Sequence, residues 1–317
     1  MLPRTILITS RRKAGIIGLR FLTAWLVLIL WGSLGTLSTA TGADWILLTE
    51  RLSADGFPRQ EVEGLFAHPE VLFHPDVMTD KLKELLLARE RESNPLAATP
   101  RSATYRGYLT NQTINRALAF TKENMALLQQ AAARHQVPKE IIVSILLVET
   151  RLGADTGHHY VFNRLASMAA CRDLEIIRTH LAPGLVTAEN EVFLHQRCQE
   201  KADWAYEELK ALLCYARREG IDPLSLRGSM YGAIGICQFM PSNLLVFGID
   251  ADGDGRTDPF SKPDAFHSIA NYLRCHGWRE NLNHEGRRKV IFAYNHSTVY
   301  VNTVLAIAER MREKPKP

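Results

Sequence analysis

A carboxylic acid occupies a sequence position where a core-packed helix would be expected to carry an apolar side chain. Glu149 lies near the end of the apolar segment 137–153, on the helical face that also carries Ile142 and Ile145. Partial burial among aliphatic side chains disfavours the charged carboxylate, raises its pKa and allows the group to donate a proton near neutral pH. The pattern therefore predicts a general acid. From this helix alone, a structural glutamate paired with Arg151 or another cation explains the position equally well.

A glycine-rich segment, residues 226–242, has the composition of a binding loop. It contains three glycines and one proline, so its backbone turns tightly and lets another group approach closely. Ser229 and Gln238 could hold a ligand through neutral polar groups, and Tyr231 and Phe239 could pack against its faces. A turn that only allows close helix packing is the structural alternative.

A short polar stretch near the carboxyl terminus, residues 293–297, places the ring of Tyr294 beside the amide of Asn295. By itself this pair predicts no particular chemistry. It indicates a binding site only in combination with the Glu149 helix and the glycine-rich segment.

An aspartate-rich loop over residues 250–261 has the spacing of an EF-hand calcium loop. It offers carboxylates at positions 1, 3, 5 and 9, a backbone carbonyl at position 7 and Gly255 at position 6. The candidate ligands are Asp250, Asp252, Asp254, Arg256 and Asp258. Position 12 holds Ser261 instead of a bidentate glutamate, so a Ca²⁺ site would be weaker, or completed by Asp264 or water. We predict that Ser261 and Asp264 act mainly as a capping box for the helix that follows.

Helical periodicity dominates the chain, so the predicted fold class is mainly α. Residues 44–100 are typical of short helices separated by glycine and proline, with a clear amphipathic helix over residues 81–91. The spacing predicts one helix over residues 113–135, and Pro138 begins the next helix at a position where its missing N–H costs nothing. The sequence contains no internal repeat and no convincing run of strand alternation.

The first forty residues have the pattern of an export signal. Basic residues at positions 11–13 and 20 precede the apolar run 21–31, which gives way to small residues around position 38. The pattern predicts a signal peptide over residues 1–40 and a folded part in the periplasm. An uncleaved N-terminal anchor in the inner membrane is the alternative, and it leaves the folded part in the same compartment.

The charge, cysteine and histidine content exclude some kinds of site. The 38 basic and 34 acidic side chains give a formal charge of +4 and are spread along the whole chain. The concentrated basic face that nucleic acid binding requires is therefore missing. Five cysteines form no CxxC pair, and an oxidising compartment would permit one or two disulfides. The scattered histidines show no metal-ligand spacing and are typical of surface or capping residues.

The three segments, in this order, resemble the lytic murein transglycosylase B family, in which a helix ending in Val-Glu-Thr precedes a loop of the form GSxxGAxGxxQFMPS. The resemblance covers essentially the whole predicted mature chain. It implies a lysozyme-like catalytic domain over residues 103–317, behind an N-terminal helical subdomain and linker over residues 41–102. It also implies that Glu149 is the catalytic acid and base. The residues that it places in the substrate groove are Ser229, Gln238, Tyr272, Tyr294 and Asn295.

The resemblance also implies an activity. Members of this family are peptidoglycan lytic transglycosylases, which cleave the β-1,4 bond between MurNAc and GlcNAc and form a 1,6-anhydromuramoyl end. This chemistry requires no cofactor, and the family's ion in the aspartate-rich loop is structural. The implied partner is the glycan strand, whose peptide stems carry carboxylates that suit a mildly positive chain.

Two features depart from the family's pattern, and two other functions stay open. Residues 171–201 resemble an insertion over the groove, and Cys237 precedes Gln238 where a small or polar residue is usual. A lysozyme-type muramidase would need a second carboxylate, such as Glu189 or Glu191, to activate water. A non-catalytic peptidoglycan-binding protein would keep the groove without turnover.

Overall fold

The structure, a computed structural model, describes residues 45–93 and 103–313. The predicted signal or anchor, residues 1–40, lies outside the described residues, and so do residues 94–102 of the predicted linker. Within the described part of the chain, no helix is both long enough and apolar enough to cross a membrane.

Helices form nearly all of the regular structure, which confirms the mainly α prediction. In the described residues the α-helices are α1 (Ile46–Ala54), α2 (Arg59–Phe66), α3 (Asp76–Ser93), α4 (Asn111–Glu123), α5 (Met125–His135), α6 (Lys139–Thr150), α7 (Val161–Ala170), α8 (Glu191–Glu219), α9 (Pro241–Phe247), α10 (Lys262–Cys275), α11 (His284–Tyr294) and α12 (Thr298–Arg312). One 3₁₀ helix, Leu174–His180, lies between α7 and α8. Two short antiparallel strands, β1 (His159–Tyr160) and β2 (Arg227–Gly228), join the chain after α6 to the beginning of the glycine-rich segment.

The N-terminal helices form because apolar side chains recur on one face of each, and glycine and proline interrupt the chain between them. α1 buries Leu48 and Leu52, and α3 buries Leu82. α1 packs against α7, while α3 packs against both α7 and α8. The described residues, 45–93 and 103–313, belong to one compact unit, and the predicted domain boundary near residue 102 stays a prediction.

Helix α6 lies in the core of the molecule. Every residue from Ile141 to Leu147 is buried, and α6 packs against α4, α5, α10 and α12. A helix surrounded in this way needs an apolar surface on all sides. The buried hydroxyl of Ser144, in the middle of the helix, donates to the carbonyl oxygen of Glu140 at 2.6 Å. This burial fixes the end of the helix, where Glu149 lies.

The segment 113–135 is two helices, and the prediction of a single helix was wrong. α4 ends at Glu123 and α5 begins at Met125, with Asn124 between them at φ −111°. The buried Asn124 side chain donates to the carbonyl oxygen of Phe120 at 2.8 Å. Such a local bond competes with the helical hydrogen-bond ladder. Because the apolar spacing continues across the break, periodicity alone missed it.

The stretch predicted as an insertion, residues 171–201, contains the 3₁₀ helix and the first residues of α8. The 3₁₀ helix packs against α3 and α8. Two of the cysteines lie against each other here, since the Cys198 thiol donates to the carbonyl oxygen of Cys171 at 2.9 Å. All five cysteines are free thiols in the structure, although the sequence would permit disulfides.

Candidate active site

Glu149 lies in the last turn of α6 and is partly exposed, although the helix that carries it is buried. Burial raises the pKa of its carboxyl group to about 7, and a hydrogen bond from Tyr300 acts in the opposite direction. No cation in the described part of the chain contributes to this pKa, and Arg151, the candidate ion-pair partner, is exposed. The geometry therefore favours a free acid over a paired structural glutamate.

Tyr300 is the side chain that holds the Glu149 carboxyl group. Its hydroxyl donates to Glu149 Oε1 at 2.6 Å, and the ring is only 1% exposed. It lies parallel to the ring of Tyr294, with 6.4 Å between the ring centroids. Sequence analysis did not select Tyr300. The available signal was a tyrosine on the face of α12 that also buries Val301 and Val304, where an apolar residue is the norm.

Thr150 connects the helix of the acid to the glycine-rich loop. Its hydroxyl donates to the carbonyl oxygen of Ile236 at 3.0 Å and accepts a hydrogen bond from the backbone N–H of Gly153, also at 3.0 Å. Arg151 and Leu152 between them adopt left-handed backbone conformations, with φ of 52° and 69°. One buried hydroxyl thus fixes both the end of α6 and the middle of the loop. Sequence analysis missed this role as well.

The glycine-rich loop folds back on itself as a tight hairpin. The backbone N–H of Ser229 donates to the Ala233 carbonyl oxygen at 2.8 Å, and the Ala233 N–H donates to Ser229 Oγ at 3.0 Å. Gly235 has φ +74°, and a Cβ atom added there would lie 2.3 Å from the carbonyl oxygen of Pro259. Only glycine fits at this position, because both the backbone angle and the neighbouring chain exclude a side chain.

Gln238 has an oriented side chain in a strained backbone position. Its φ is +50°, a region that residues other than glycine rarely adopt. The side-chain amide nitrogen donates to the carbonyl oxygens of Gly235 at 2.9 Å and Thr156 at 3.1 Å. Both amide hydrogens are therefore used inside the protein, and the carbonyl oxygen Oε1 is left to accept a hydrogen bond from a ligand.

The aromatic residues of the predicted groove form its supporting wall. The Tyr294 hydroxyl donates to the Cys237 carbonyl oxygen at 2.6 Å, and the Tyr272 hydroxyl donates to the Ala293 carbonyl oxygen at 2.7 Å. Phe239 is 2% exposed and packs against both tyrosine rings. The prediction that Phe239 packs against a ligand was therefore wrong, because the ring is buried.

Sugar contacts by the other groove residues stay predictions with defined geometry. Tyr272 is 6% exposed and stacks on His276 with 3.9 Å between the ring centroids, so little of its surface is available to a ligand. Tyr294 and Asn295 are partly exposed at the end of α11. Ser229 is also partly exposed, and its hydroxyl hydrogen is left to donate.

The aspartate-rich loop brings three of its predicted ligands together. Carboxylate oxygens of Asp250, Asp252 and Asp254 all lie within 4.8 Å of one another, which suits a hard divalent cation. Asp258 does not join this group, and its carboxylate accepts a hydrogen bond from the Phe260 N–H. Arg256 was predicted to contribute only its backbone carbonyl oxygen.

The prediction of a capping box at Ser261 and Asp264 was wrong. Ser261 is the N-cap residue of α10, but its side chain makes no capping hydrogen bond. Asp264 is 1% exposed, and its two carboxylate oxygens accept hydrogen bonds from the backbone N–H groups of Ala251 and Asp258 at 2.9 and 2.8 Å. Asp264 therefore stabilises the shape of the aspartate-rich loop from inside instead of completing a cation shell.

Among the residues that the structure describes, neither carboxylate proposed as a base for hydrolysis is coupled to Glu149. In the described part of the chain, no other acidic group contributes to the raised pKa of Glu149. Glu191, one candidate base, forms an ion pair with Arg178. Glu189, the other candidate, is an exposed group whose pKa is lowered by a hydrogen bond from Thr187. Among the described residues, Glu149 is therefore a single acid whose hydrogen-bond partner, Tyr300, is neutral.

Comparisons with known proteins show what the chain is similar to. A family model described as a transglycosylase SLT domain matches residues 42–288. The membrane-bound lytic murein transglycosylase B of Escherichia coli (strain K12) is 27% identical over 238 residues, which cover 73% of this chain and 56% of that protein. The chain therefore spans a little more than half the length of this relative.

Solved structures share the fold. A structure of the Escherichia coli lytic transglycosylase Slt35 in complex with calcium aligns with a TM-score of 0.61 at 21% identity, over 86% of this chain and 96% of that one. A crystal structure of SltB3 from Pseudomonas aeruginosa in complex with NAG-NAM-pentapeptide aligns with a TM-score of 0.61 at 19% identity, over 84% and 79% of the two chains. These alignments confirm the predicted lysozyme-like fold.

Proposed function

Because the chain belongs to the transglycosylase SLT domain family, we propose that it is a peptidoglycan lytic transglycosylase. It cleaves the β-1,4 bond between MurNAc and GlcNAc and leaves a 1,6-anhydromuramoyl end. The observation that carries this proposal is Glu149, a lone carboxylic acid with a pKa of about 7. Hydrolysis by the usual route requires two carboxylates across the bond, whereas an intramolecular reaction requires only one.

Glu149 acts first as an acid and then as a base. Its proton passes to the glycosidic oxygen, the bond from that oxygen to C1 of MurNAc breaks, and positive charge develops at C1. The C6 hydroxyl of the same sugar then attacks C1, and its proton returns to the Glu149 carboxylate. The protonated acid is regenerated, and no water or external reagent is consumed. A pKa near the working pH serves both steps, since neither protonation state is strongly disfavoured.

Neighbouring groups orient the acid and the sugar. Tyr300 donates to Glu149 Oε1, which leaves Oε2 to carry the transferable proton and stabilises the carboxylate once the proton has left. Gln238 presents Oε1 as an acceptor, because its amide hydrogens are held by backbone carbonyls. With Ser229 and Asn295, it positions the substrate through neutral hydrogen bonds that add no competing charge.

The test is mass spectrometry of the fragments released from purified sacculi. The protein should release 1,6-anhydro products, which are lighter than reducing ends by one water, and Glu149→Gln should release none. Glu140→Gln is the matched control, because it makes the same change of charge on the same helix and should retain activity. Reducing-end products would instead indicate a muramidase, and an active Glu149→Gln variant would overturn the assignment of the acid.

The substrate class and compartment follow from the same proposal. The fold is shared with a protein whose structure contains NAG-NAM-pentapeptide, and the matched relative is membrane-bound. We infer that this chain acts on the glycan strand in the periplasm, after export by residues 1–40. Fractionation of cells that produce the tagged protein tests the compartment.

The aspartate-rich loop supports a structural calcium site. The three clustered carboxylates fit the oxygen chemistry of Ca²⁺, and Slt35 has been solved with calcium. We propose that Asp250, Asp252 and Asp254 hold the ion and that it contributes to stability and takes no part in cleavage. Calcium should raise the melting temperature of the protein, and Asp252→Asn should reduce that increase. Equal melting temperatures in calcium and in chelator would argue against the site.

A further inference from the structure

Positive side chains gather where α3 packs against the beginning of α8. The members of this α3–α8 cluster are Lys81, Arg89, Arg197 and Lys201. The guanidinium groups of Arg89 and Arg197 lie 4.6 and 5.4 Å from the ring centroid of Phe193. The ammonium group of Lys201 lies 5.9 Å from the Trp204 ring. Cations alternate here with flat apolar surfaces, an arrangement that suits an anionic ligand with apolar parts.

The cluster contacts the candidate active-site loop through Lys81. The Lys81 ammonium group lies 3.7 Å above the centroid of the Tyr231 ring. The Tyr231 hydroxyl donates to Glu84 Oε1 at 2.8 Å, while Lys81 pairs with Glu84 Oε2 at 2.6 Å. Tyr231 is two residues beyond Ser229, so the cluster contacts the same loop that carries this predicted substrate-binding residue. Glu84 offsets the charge of Lys81, and Glu200 pairs with Arg197 at 2.8 Å. Arg89 and Lys201 are the members of the cluster for which the described part of the chain supplies no ion pair.

Lys201 is partly buried, and no carboxylate in the described part of the chain forms an ion pair with it. Burial and the nearby charge of Lys81 lower its pKa, and the charge of Glu200 only partly opposes them, so its surroundings disfavour the cation. A carboxylate that binds beside Lys201 would restore the missing interaction, and it would do so in a site that is partly shielded from solvent.

We propose that the α3–α8 cluster binds a carboxylate of the peptide stem on the glycan strand, with Lys201 as the principal contact. The inference rests on the proposed function, because the stem branches from the same MurNAc residue that the groove would hold. Lys201 also ends the 171–201 stretch that departs from the family's pattern. This stretch therefore has a role in substrate recognition. Lys81 and Tyr231 connect it to the glycine-rich loop.

Binding of two matched fragments tests the proposal. The Glu149→Gln protein is titrated calorimetrically with NAG-NAM-pentapeptide and with NAG-NAM that lacks the peptide. Adding Lys201→Gln should weaken binding of the peptide-bearing fragment by roughly five-fold, the effect of one partly shielded charge pair, and should leave NAG-NAM binding unchanged. Lys201→Arg should retain tight binding. Lys83→Gln, which removes an exposed charge two residues from Lys81 on α3, is the control and should have no effect.

Other results would overturn the proposal. Equal weakening for both fragments would show a general effect on the groove, and no weakening would show that Lys201 does not contact the stem. If Lys201→Gln abolished binding to vesicles of anionic lipid but not to the peptide-bearing fragment, the cluster would be a membrane contact. Peptide-dependent binding in a wild-type protein that fails to cleave sacculi would support the stem site and reject the lytic activity.

Discussion

Glu149 is predicted from its sequence position, but its chemical state depends on a residue 151 positions away. The apolar stripe of α6 shows that an acid replaces a core residue. The apolar stripe does not show which side chains pack against Glu149 from other helices. An ion-paired Glu149 and a free acid were therefore equally supported by the sequence. Tyr300 and the lack of a neighbouring cation favour the free acid. Tyr300 itself was missed because its partner lies on another helix, and a buried tyrosine has the same pattern as any other core residue.

The raised pKa of Glu149 predicts how stability depends on pH. Between the ordinary value of 4.5 and about 7, the unfolded chain releases this proton first, so stability falls as pH rises. Glu149→Gln mimics the protonated acid and should be more stable than the wild type by about 3 kcal/mol at pH 8, with no difference at pH 4. Urea unfolding at the two pH values measures this.

Glu140 on the same helix supplies the control of opposite sign. Lys139 and Arg312 lower the pKa of its carboxyl group, so ionised Glu140 stabilises the fold. Glu140→Gln should therefore lose stability at pH 8. Destabilisation by both substitutions at pH 8 would contradict the burial argument for Glu149.

Tyr300→Phe should change the pH dependence of cleavage. The lost hydrogen bond lowers the pKa of Glu149 in the wild type, so the basic limb of the kcat profile should move to higher pH. The carboxylate formed after proton transfer also loses a donor, and kcat should fall about ten-fold or more. Tyr206→Phe removes a hydroxyl that binds Asp55 elsewhere in the protein and should leave the profile unchanged. A Tyr300→Phe profile that coincides with the wild type would reject this role.

At the scale of elements, local patterns predicted most helices and the existence of the binding loop. They did not predict which segment of the protein each glycine contacts, because the two residues of such a contact lie far apart in the sequence. Gly235 packs against Pro259 and so brings the loop against the aspartate-rich segment. The same limit explains the wrong capping box. Asp264 has the correct spacing from Ser261, but its carboxylate binds backbone groups of the preceding loop.

Gly235→Ala should destabilise the protein by about 3 kcal/mol, because it combines a positive φ with a clash against backbone. Gly220→Ala is the matched control. Gly220 also has a positive φ, of 66°, but an added Cβ would meet no atom within 4 Å, so the cost should be about 1 kcal/mol. Urea unfolding of both variants separates backbone strain from the clash. Equal costs would mean that the loop moves away from Pro259 without difficulty.

At the scale of the whole molecule, the mainly α fold follows from periodicity, but the pairing of helices does not. α5 packs against α10, and this contact contains two histidines that the sequence indicated as surface or capping residues. His135 and His267 are instead buried, with 3.2 Å between their ring nitrogens. Two single histidines on different helices have no sequence spacing that indicates a contact, because the number of residues between them depends only on where α5 and α10 lie in the sequence.

This histidine pair predicts loss of stability in acid. Burial lowers the pKa of His135 to about 4 and also lowers that of His267. The unfolded chain therefore takes up protons first as pH falls below 6.5, and stability should fall by about 2 kcal/mol between pH 6.5 and 4. His135→Gln should remove part of this slope, whereas His296→Gln, at an exposed position, should not. Parallel slopes for the wild type and His135→Gln would reject the argument.

The hydrogen bond from Tyr300 to Glu149 also has a consequence for biosynthesis. Chains are made from the amino terminus, so the acid, the binding loop and the aspartate-rich segment all exist before α12 does. α12 supplies the partner of the acid and packs along α6. A chain that stops before α12 therefore lacks the hydroxyl that holds the acid, and the proposed cleavage of the cell wall requires that α12 has been made and has docked against α6.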